Sequence, residues 1–420
     1  MRLINTATGR LQDFDDSSRA RYAVLSHTWG EQETSYLDFL FLTSELPSNA
    51  LGAVQVLLRS PSKDTEGFRK IQECCQLART RGLDWLWIDT CCIDKSSSAE
   101  LSEAINSMWQ WYTDAAECYV YLRDVPISPG QLETSMGFSV FSRARWFTRG
   151  WTLQELLAPK NVVFYNNRWQ MIATKAQIGR QLSAITRIPL VFLDGTYAAS
   201  NSTICSVAMK MSWLSQRQTT RTEDMAYCML GLFDVHMPLI YGEGRKAFMR
   251  LQMEILKKVD DDSIFCWTAD LDSSGLLATW PTAFASCENI VQLTFPEDPT
   301  PWLPPAMTSL GLEMRGRYQR QDQQQRMIDA QYGVHTINTA LPLGSVMSMV
   351  MHCGPHGNFA PITQRWTKSD IGPALVIRLH RFGATWQRVN CRSLEWNSYS
   401  MYEPSQLDAY TIYYIAQQGL

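Results

Sequence analysis

The amino-acid sequence predicts an α/β fold, a parallel sheet with flanking helices, followed by a helical extension and a β-rich C-terminal domain. Through residues 1–170, short apolar runs of strand length alternate with runs of helical periodicity. From about Ala176 to Asp260 the periodicity stays helical, and beyond Trp267 it shortens while proline and glycine become frequent. Alternation of strand and helix builds parallel strands, because each parallel return needs a crossover. A chain of 420 residues exceeds one ordinary core. The expected units are therefore 1–170, 171–268 and 269–420.

The elements follow in order. Tyr22–Ser26 (YAVLS) reads as a buried strand ending in a polar turn. Phe68 to Thr80 places Phe68, Ile71, Cys75 and Ala78 on one helical face, and Gly82 supplies a stop. Trp85–Ile88 is a second strand, ending at Asp89. Ser97 with Glu100 forms a capping box, opening a helix with the stripe Leu101, Ile105, Met108, Trp109 and Tyr112. Cys118–Leu122 is a third strand, and a loop runs from Val125 to about Gly137. Gly150–Leu157 is a short helix stopped by Pro159, and Val162–Tyr165 is a fourth strand.

The extension has helical patterns at Met211–Trp213, Met225–Leu232 and Lys246–Ile255, with Asp234–Gly244 as a loop. Strands are expected at Ile290–Phe295, Val346–Met351, Ala374–Leu379 and Tyr410–Ile415, and a polar loop at Gln319–Arg326. Parallel sheets bind ligands beyond the C-terminal ends of their strands. That rule points to the segments following Ser26, Ile88 and Leu122.

Composition narrows the function classes. A hydrophobic fraction of 45% and a charged fraction of 19% describe a folded chain. A net charge of -3 and a pI near 6.1 give no electrostatic footprint for nucleic acid. No apolar run reaches membrane-spanning length, and Met1 to Asp16 has no signal-peptide core, so a cytoplasmic protein is expected. The eleven cysteines include the pairs Cys74–Cys75 and Cys91–Cys92 but no CxxC, which suits reduced, buried thiols. His352, Cys353 and His356 lack a second ligand pair with structural-zinc spacing, so no metal is expected. Gly242–Glu243–Gly244 is a turn and not a dinucleotide fingerprint, and there is no P-loop lysine.

Three blocks go beyond a generic α/β pattern: YAVLSHTWG at Tyr22–Gly30, WIDTCCIDKSSSAELSEAIN at Trp87–Asn106 and RWFTRGWTLQELLAP at Arg145–Pro159. They resemble the defining blocks of the fungal heterokaryon incompatibility (HET) domain. Lys210–Trp213, Thr219–Tyr227 and Asp234–Gly244 are similar to the helical segment that commonly follows it, so the resemblance runs from Met1 to about Trp267. Leu51–Lys63 looks longer than the family's usual link, as a loop insertion or a gene-model artefact would be. That family is distantly similar to Toll/interleukin-1 receptor (TIR) domains, which implies a flavodoxin/TIR-like sheet. YAVLSHTWGEQE resembles the opening TIR block, and RGWTLQEL resembles the block that carries the catalytic glutamate of TIR enzymes on the third helix. Counting elements in this sequence also puts Glu155 on a third helix.

The resemblance thus implies Glu155 as the catalytic carboxylate of an NAD glycohydrolase. Breaking the bond between ribose and a pyridinium releases neutral nicotinamide, so one carboxylate can suffice where ordinary glycosides need two. The competing reading makes Glu155 an exposed or Arg149-paired helix carboxylate. Ser26, His27, Thr28, Trp29 and Gly30 follow a strand end, where Trp29 can stack on a ring and Gly30 permit a tight turn, or where they form a plain turn. Asp89 and Asp94 can accept from ribose hydroxyls or simply cap the next helix. Arg149, with Arg143 and Arg145, can meet a pyrophosphate or lie on a solvated face. Trp151 completes the candidate cofactor-binding set.

No permanently bound cofactor is expected, with NAD or a related nucleotide as substrate. Two functions follow from the resemblance. One is a cell-death effector that hydrolyses NAD, activated by self-association and triggered by an upstream sensor protein. The other is a self-associating, non-enzymatic signalling or adaptor module in fungal allorecognition and innate immunity.

Overall fold

A computed structural model of the chain describes residues 1–43, 61–200 and 205–292, and the short stretches 306–308, 311–320, 346–350, 353–355, 374–382, 385–389, 391–393, 395–397 and 408–415. Most of Leu51–Lys63 lies outside the described residues, as do His352, His356 and residues 321–326. The chain divides into two compact units. One is Met1–Ala198 with Arg217–Thr220 and Tyr227–Leu232, and the other is Ala199–Gln216, Arg221–Ala226 and Phe233–Leu420.

The first unit is built on a seven-stranded sheet. Its strands are β1 (Arg2–Asn5), β2 (Leu11–Asp13), β3 (Tyr22–His27), β4 (Trp85–Trp87), β5 (Glu117–Tyr121), β6 (Val162–Tyr165) and β7 (Met171–Thr174). They lie in the order β2-β1-β4-β3-β5-β6-β7. β4, β3, β5 and β6 run parallel, and the flanking strands are antiparallel. The chain order of the parallel strands reverses between β3 and β5, which makes their C-terminal ends the topological switch point of the sheet. The expected α/β architecture is therefore present.

Each parallel crossover is helical. The helix Glu66–Thr80 is capped by Thr65 and buries Phe68, Ile71, Cys75 and Ala78 as the periodicity predicts. Lys70 and Cys74 join that buried face. Gly82, at φ 71°, turns the chain out of it. The helix Ser98–Asp114 is capped by Ser97, but the reciprocal half of the predicted capping box is not made. Arg2 and the Asp94 amide take the Glu100 carboxylate instead, at 2.8 and 2.7 Å. Its buried stripe contains Ala104 and Trp111 where Leu101 and Trp109 were expected. Trp111 and Tyr112 pack edge-on against Trp87 of β4, at 5.6 and 5.8 Å between ring centroids.

The third crossover differs more from expectation. Residues read as loop contain the start of a helix, Ser135–Ser142, capped by Thr134. The next helix, Thr152–Leu157, is two residues shorter than expected and carries Glu155. Glu155 thus lies in the third crossover but on the fifth described helix, because Tyr36–Leu42 and Ser135–Ser142 were not anticipated. β1, β2 and β7 were also missed. They are short strands at or next to the sheet's edges, and β2 is only weakly buried, so neither alternation nor an apolar run marks them.

In the second unit, helices cover Val207–Leu214 and Lys246–Lys258. Asp261 ties the first of these down by accepting from the Val207 amide at 2.7 Å. The Asp234–Gly244 loop is held by Glu223, which accepts from the Gly242 and Gly244 amides at 2.8 and 2.9 Å. An eight-stranded, mainly antiparallel sheet follows, including Gly311–Arg320, Val346–Val350, Ala374–Phe382, Thr385–Val389 and Asp408–Ile415. The β-rich C-terminal region is as predicted, although Gln319 and Arg320 belong to a strand and not to a loop. No described helix is long and apolar enough to cross a membrane. The ten cysteines other than Cys353 are buried, and none of them is joined in a disulfide.

One glycine ties the first unit's rim to its core. At Gly67 a Cβ would fall 2.3 Å from the Gln32 carbonyl oxygen and 2.7 Å from the Thr34 nitrogen, both backbone atoms that cannot swing away. Gly67→Ala is predicted to destabilise the chain by about 1–3 kcal/mol, as overpacking does. Chemical denaturation of both proteins would read this as a lower midpoint at unchanged slope.

Candidate functional site at the rim of the parallel sheet

The helix Thr152–Leu157 is buried along its whole length. Such a helix has no solvated face on which to place a carboxylate. Its entry is fixed by Thr152, whose hydroxyl donates to the Trp146 and Arg149 carbonyls at 2.6 and 2.9 Å. The guanidinium of Arg217 donates to the Arg149 carbonyl and Thr152 Oγ1 at 2.9 and 3.0 Å. At the other end Lys175 Nζ donates to the Leu156 and Pro159 carbonyls at 3.1 and 2.5 Å, closing orphan acceptors. Burial lowers the Lys175 pKa to about 8.

Held this way, Glu155 is 8% exposed. Its Oε2 accepts the hydroxyl proton of Ser26, the penultimate residue of β3. Ser26 Oγ in turn accepts the Trp146 indole N–H at 2.7 Å. Burial pushes the Glu155 pKa from its ordinary 4.5 up to about 8. The Ser26 hydrogen bond opposes that rise, the charge of Asp89 adds to it, and the charges of Arg149 and Arg217 oppose it. At neutral pH the side chain is therefore mainly a neutral acid.

The next residue, His27, begins a charged group at the ends of β3 and β4. Its Nε2 lies 3.2 Å from Asp89 Oδ1, and its Nδ1 lies 2.9 Å from Lys70 Nζ. Lys70 also donates to both oxygens of Glu33, at 2.6 and 2.7 Å. Asp89 Oδ2 accepts the Trp29 indole N–H at 2.9 Å. The Lys95 ammonium lies 3.8 Å from the Trp29 ring centroid and 3.7 Å from Asp89 Oδ2. Burial works to raise the Asp89 pKa, but Lys95, His27 and Trp29 outweigh it and hold the carboxyl well below its usual range. Burial likewise opposes ionisation of Glu33, and Lys70 and the Gly30 amide prevail. Glu155 is thus a neutral acid beside an ionised one, the arrangement that separates roles in acid–base sites.

Among the predicted residues, the structure brings Ser26, His27, Trp29, Asp89 and Glu155 together. Gly30 joins them for a different reason than its turn chemistry. It does not adopt a positive φ; its amide donates to Glu33 at 2.7 Å, and a Cβ would meet Arg123 Nη1 at 2.8 Å. Thr28 is half-buried beside them. Asp94 turns back on its own loop, accepting from the Ser96 amide and hydroxyl at 2.9 and 2.5 Å. Arg149 reaches Thr220 Oγ1 at 3.1 Å and acts on Glu155 only through its charge. Trp151 is the N-cap residue of the Glu155 helix. Trp146, Lys70, Glu33, Lys95 and Arg217 were not anticipated. Only Lys70 had a local signal, a lysine beside Ile71 on an otherwise apolar helix face. Among the described residues, no cluster of three or more His, Cys, Asp or Glu is placed to hold a metal ion.

A carboxyl with a raised native pKa binds its proton more tightly folded than unfolded. The stability this confers is complete below the unfolded value and is lost as pH rises through the folded one. Wild-type protein is predicted to lose stability between pH 4.5 and about 8, by on the order of a few kcal/mol. Glu155→Gln removes that slope. Melting curves across this range check it, and identical slopes in the two proteins would contradict a buried neutral acid.

Comparison with known proteins finds similarity over parts of the chain. The profile of the family described as "Heterokaryon incompatibility protein (HET)" matches residues 22–136. A domain of unknown function, DUF8212, matches residues 246–337. The chain is 44% identical over 240 residues to the "Vegetative incompatibility protein HET-E-1" of Podospora anserina, an alignment covering 56% of this chain and 16% of that protein. The chain therefore spans about a sixth of the length of the curated relative it matches. No solved structure matches it significantly. Ser26, His27, Trp29 and Asp89 all fall within the segment that matches the HET family, and over that segment the chain is similar to fungal HET-domain proteins.

Proposed function

We propose that this chain acts in heterokaryon incompatibility as a cell-death effector, and that its first unit hydrolyses the nicotinamide–ribose bond of NAD with Glu155 as the working carboxylate. The incompatibility part of this reading is supported by the family match and by the likeness to a vegetative incompatibility protein. One observation carries the chemical part. A buried, proton-holding glutamate meets the end of β3 beside the sheet's switch point, with its hydrogen bond made to a serine and not to an arginine.

The reaction asks little of the protein beyond charge placement. Nicotinamide leaves as a neutral molecule when the bond to its pyridinium nitrogen breaks, so no acid is needed on the leaving group. Positive charge develops on the ribose, and water adds to the anomeric carbon and gives up one of its protons to solvent. A cationic substrate beside Glu155 favours its ionised form, and the proton passes to solvent. The resulting carboxylate stabilises the oxocarbenium charge in a site already shielded from water. Ser26 and Trp146 fix the oxygen that does this.

A second reading is the self-associating adaptor. Its support is that Glu155 is already satisfied by Ser26 in the free chain, as a purely structural buried acid would be. Purified protein incubated with NAD at low and high concentration separates the two. The hydrolase reading predicts nicotinamide release, rising with protein concentration if assembly activates it. Glu155→Gln should lose at least about 100-fold of that rate, the usual cost of removing a charge-stabilising group. Cell death in a yeast or fungal host that persists with Glu155→Ala at equal protein level would refute the hydrolase and leave the adaptor.

A further inference from the structure

Beyond Glu155, the rim carries a second set of groups to which the reaction assigns nothing. Trp29 is a large aromatic left 47% exposed, yet its ring is not free to turn. Its indole N–H is held by Asp89 Oδ2 at 2.9 Å. The other oxygen of Asp89 is also committed. Lys70 Nζ can only donate, so His27 Nδ1 must accept from it, and the imidazole proton lies on Nε2, facing Asp89 Oδ1 at 3.2 Å. Lys70 is itself anchored by Glu33. The chain Glu33–Lys70–His27–Asp89 therefore orients the carboxylate, and the carboxylate orients the indole, without help from Lys95.

Lys95 is the loose member. Its ammonium lies over the indole ring at 3.8 Å from the centroid, and its approach to Asp89 is 3.7 Å, longer than a hydrogen bond. Its side chain is a third exposed. A cation is thus attracted to this spot by both a π face and a fixed carboxylate, and the resident one is a strongly hydrated point charge. A flat, delocalised cation loses less hydration there and also gains stacking area.

We propose that Trp29, Asp89 and Lys95 form a subsite for a planar aromatic cation, an N-substituted pyridinium, whose ring replaces the Lys95 ammonium on the indole face. This deepens the NAD reading, on which the identity of the molecule carrying the pyridinium rests; the ring site itself rests on the contacts of Trp29 and Asp89.

The test needs no turnover. N-Methylnicotinamide carries the cationic ring without a ribose, and nicotinamide is its neutral counterpart. Calorimetry on the full chain should show the cation binding about threefold to tenfold more tightly than the neutral amide, the range expected of a partly desolvated cation–π contact. Lys95→Gln removes the competing ammonium and should tighten the cation about threefold while leaving the neutral amide unchanged. Trp29→Leu should abolish the preference and Trp29→Phe should retain part of it. Equal affinity for the two rings, absence of binding, or unchanged cation affinity in Lys95→Gln would each overturn the subsite. If the cation is preferred but NAD is never cleaved, the hydrolase reading falls and the subsite stands. If NAD is cleaved without any cation preference, the reverse holds.

Discussion

The Ser26 hydroxyl accepts from the Trp146 indole and donates to the Glu155 carboxyl, and this short relay joins the central strand of the sheet to its most buried helix. Each of its parts depends on another. Trp146 stands just before the turn that Thr152 and Arg217 pin in place. Glu155 is buried because the helix behind it has no exposed face. Ser26 is wholly buried within a strand that pairs on both sides. A carboxyl in such a position resists ionisation, and Ser26 compensates it only in part. The first unit thus stores a neutral acid where its sheet topology favours ligands.

Next to that neutral acid lies a charged group with the opposite design. Glu33, Lys70, His27 and Asp89 are linked by direct contacts, and both carboxyls are held ionised despite burial. Partly buried charges persist only when paired and hydrogen-bonded, and removing one leaves its partner exposed to the full desolvation cost. The network therefore acts as a rigid base for Trp29 and Asp89 at the rim. Gly67 supports it from behind, since its bare backbone lets the helix bearing Lys70 approach the turn bearing Glu33. Fold stability and site geometry share the same few contacts here.

Much of this was legible in the sequence where burial speaks through pattern. The apolar runs at Tyr22, Trp85, Cys118 and Val162 became β3 to β6, and chain order alone implied a parallel sheet whose strand ends form the rim. Ser26, His27, Trp29 and Asp89 could be named because they follow those runs, and Glu155 because its block resembles one with a known carboxylate. What escaped was set by tertiary contact. β1, β2 and β7 are short strands with little alternation. Glu100 left its capping role because Arg2, distant in sequence, offered a stronger partner. Trp146 and Lys70 gained their roles from partners 120 and 43 residues away, and spacing cannot report such separations.

The hydrolase chemistry depends most directly on the protonation state of Glu155 in the free chain. Infrared difference spectroscopy of the wild type against Glu155→Gln at pH 7 reads it through the carbonyl stretch of a protonated carboxyl. Such a band is expected in the wild type, absent from the variant and disappearing as pH is raised through about 8. A carboxylate band alone at neutral pH would show Glu155 to be ionised already and would contradict that chemistry.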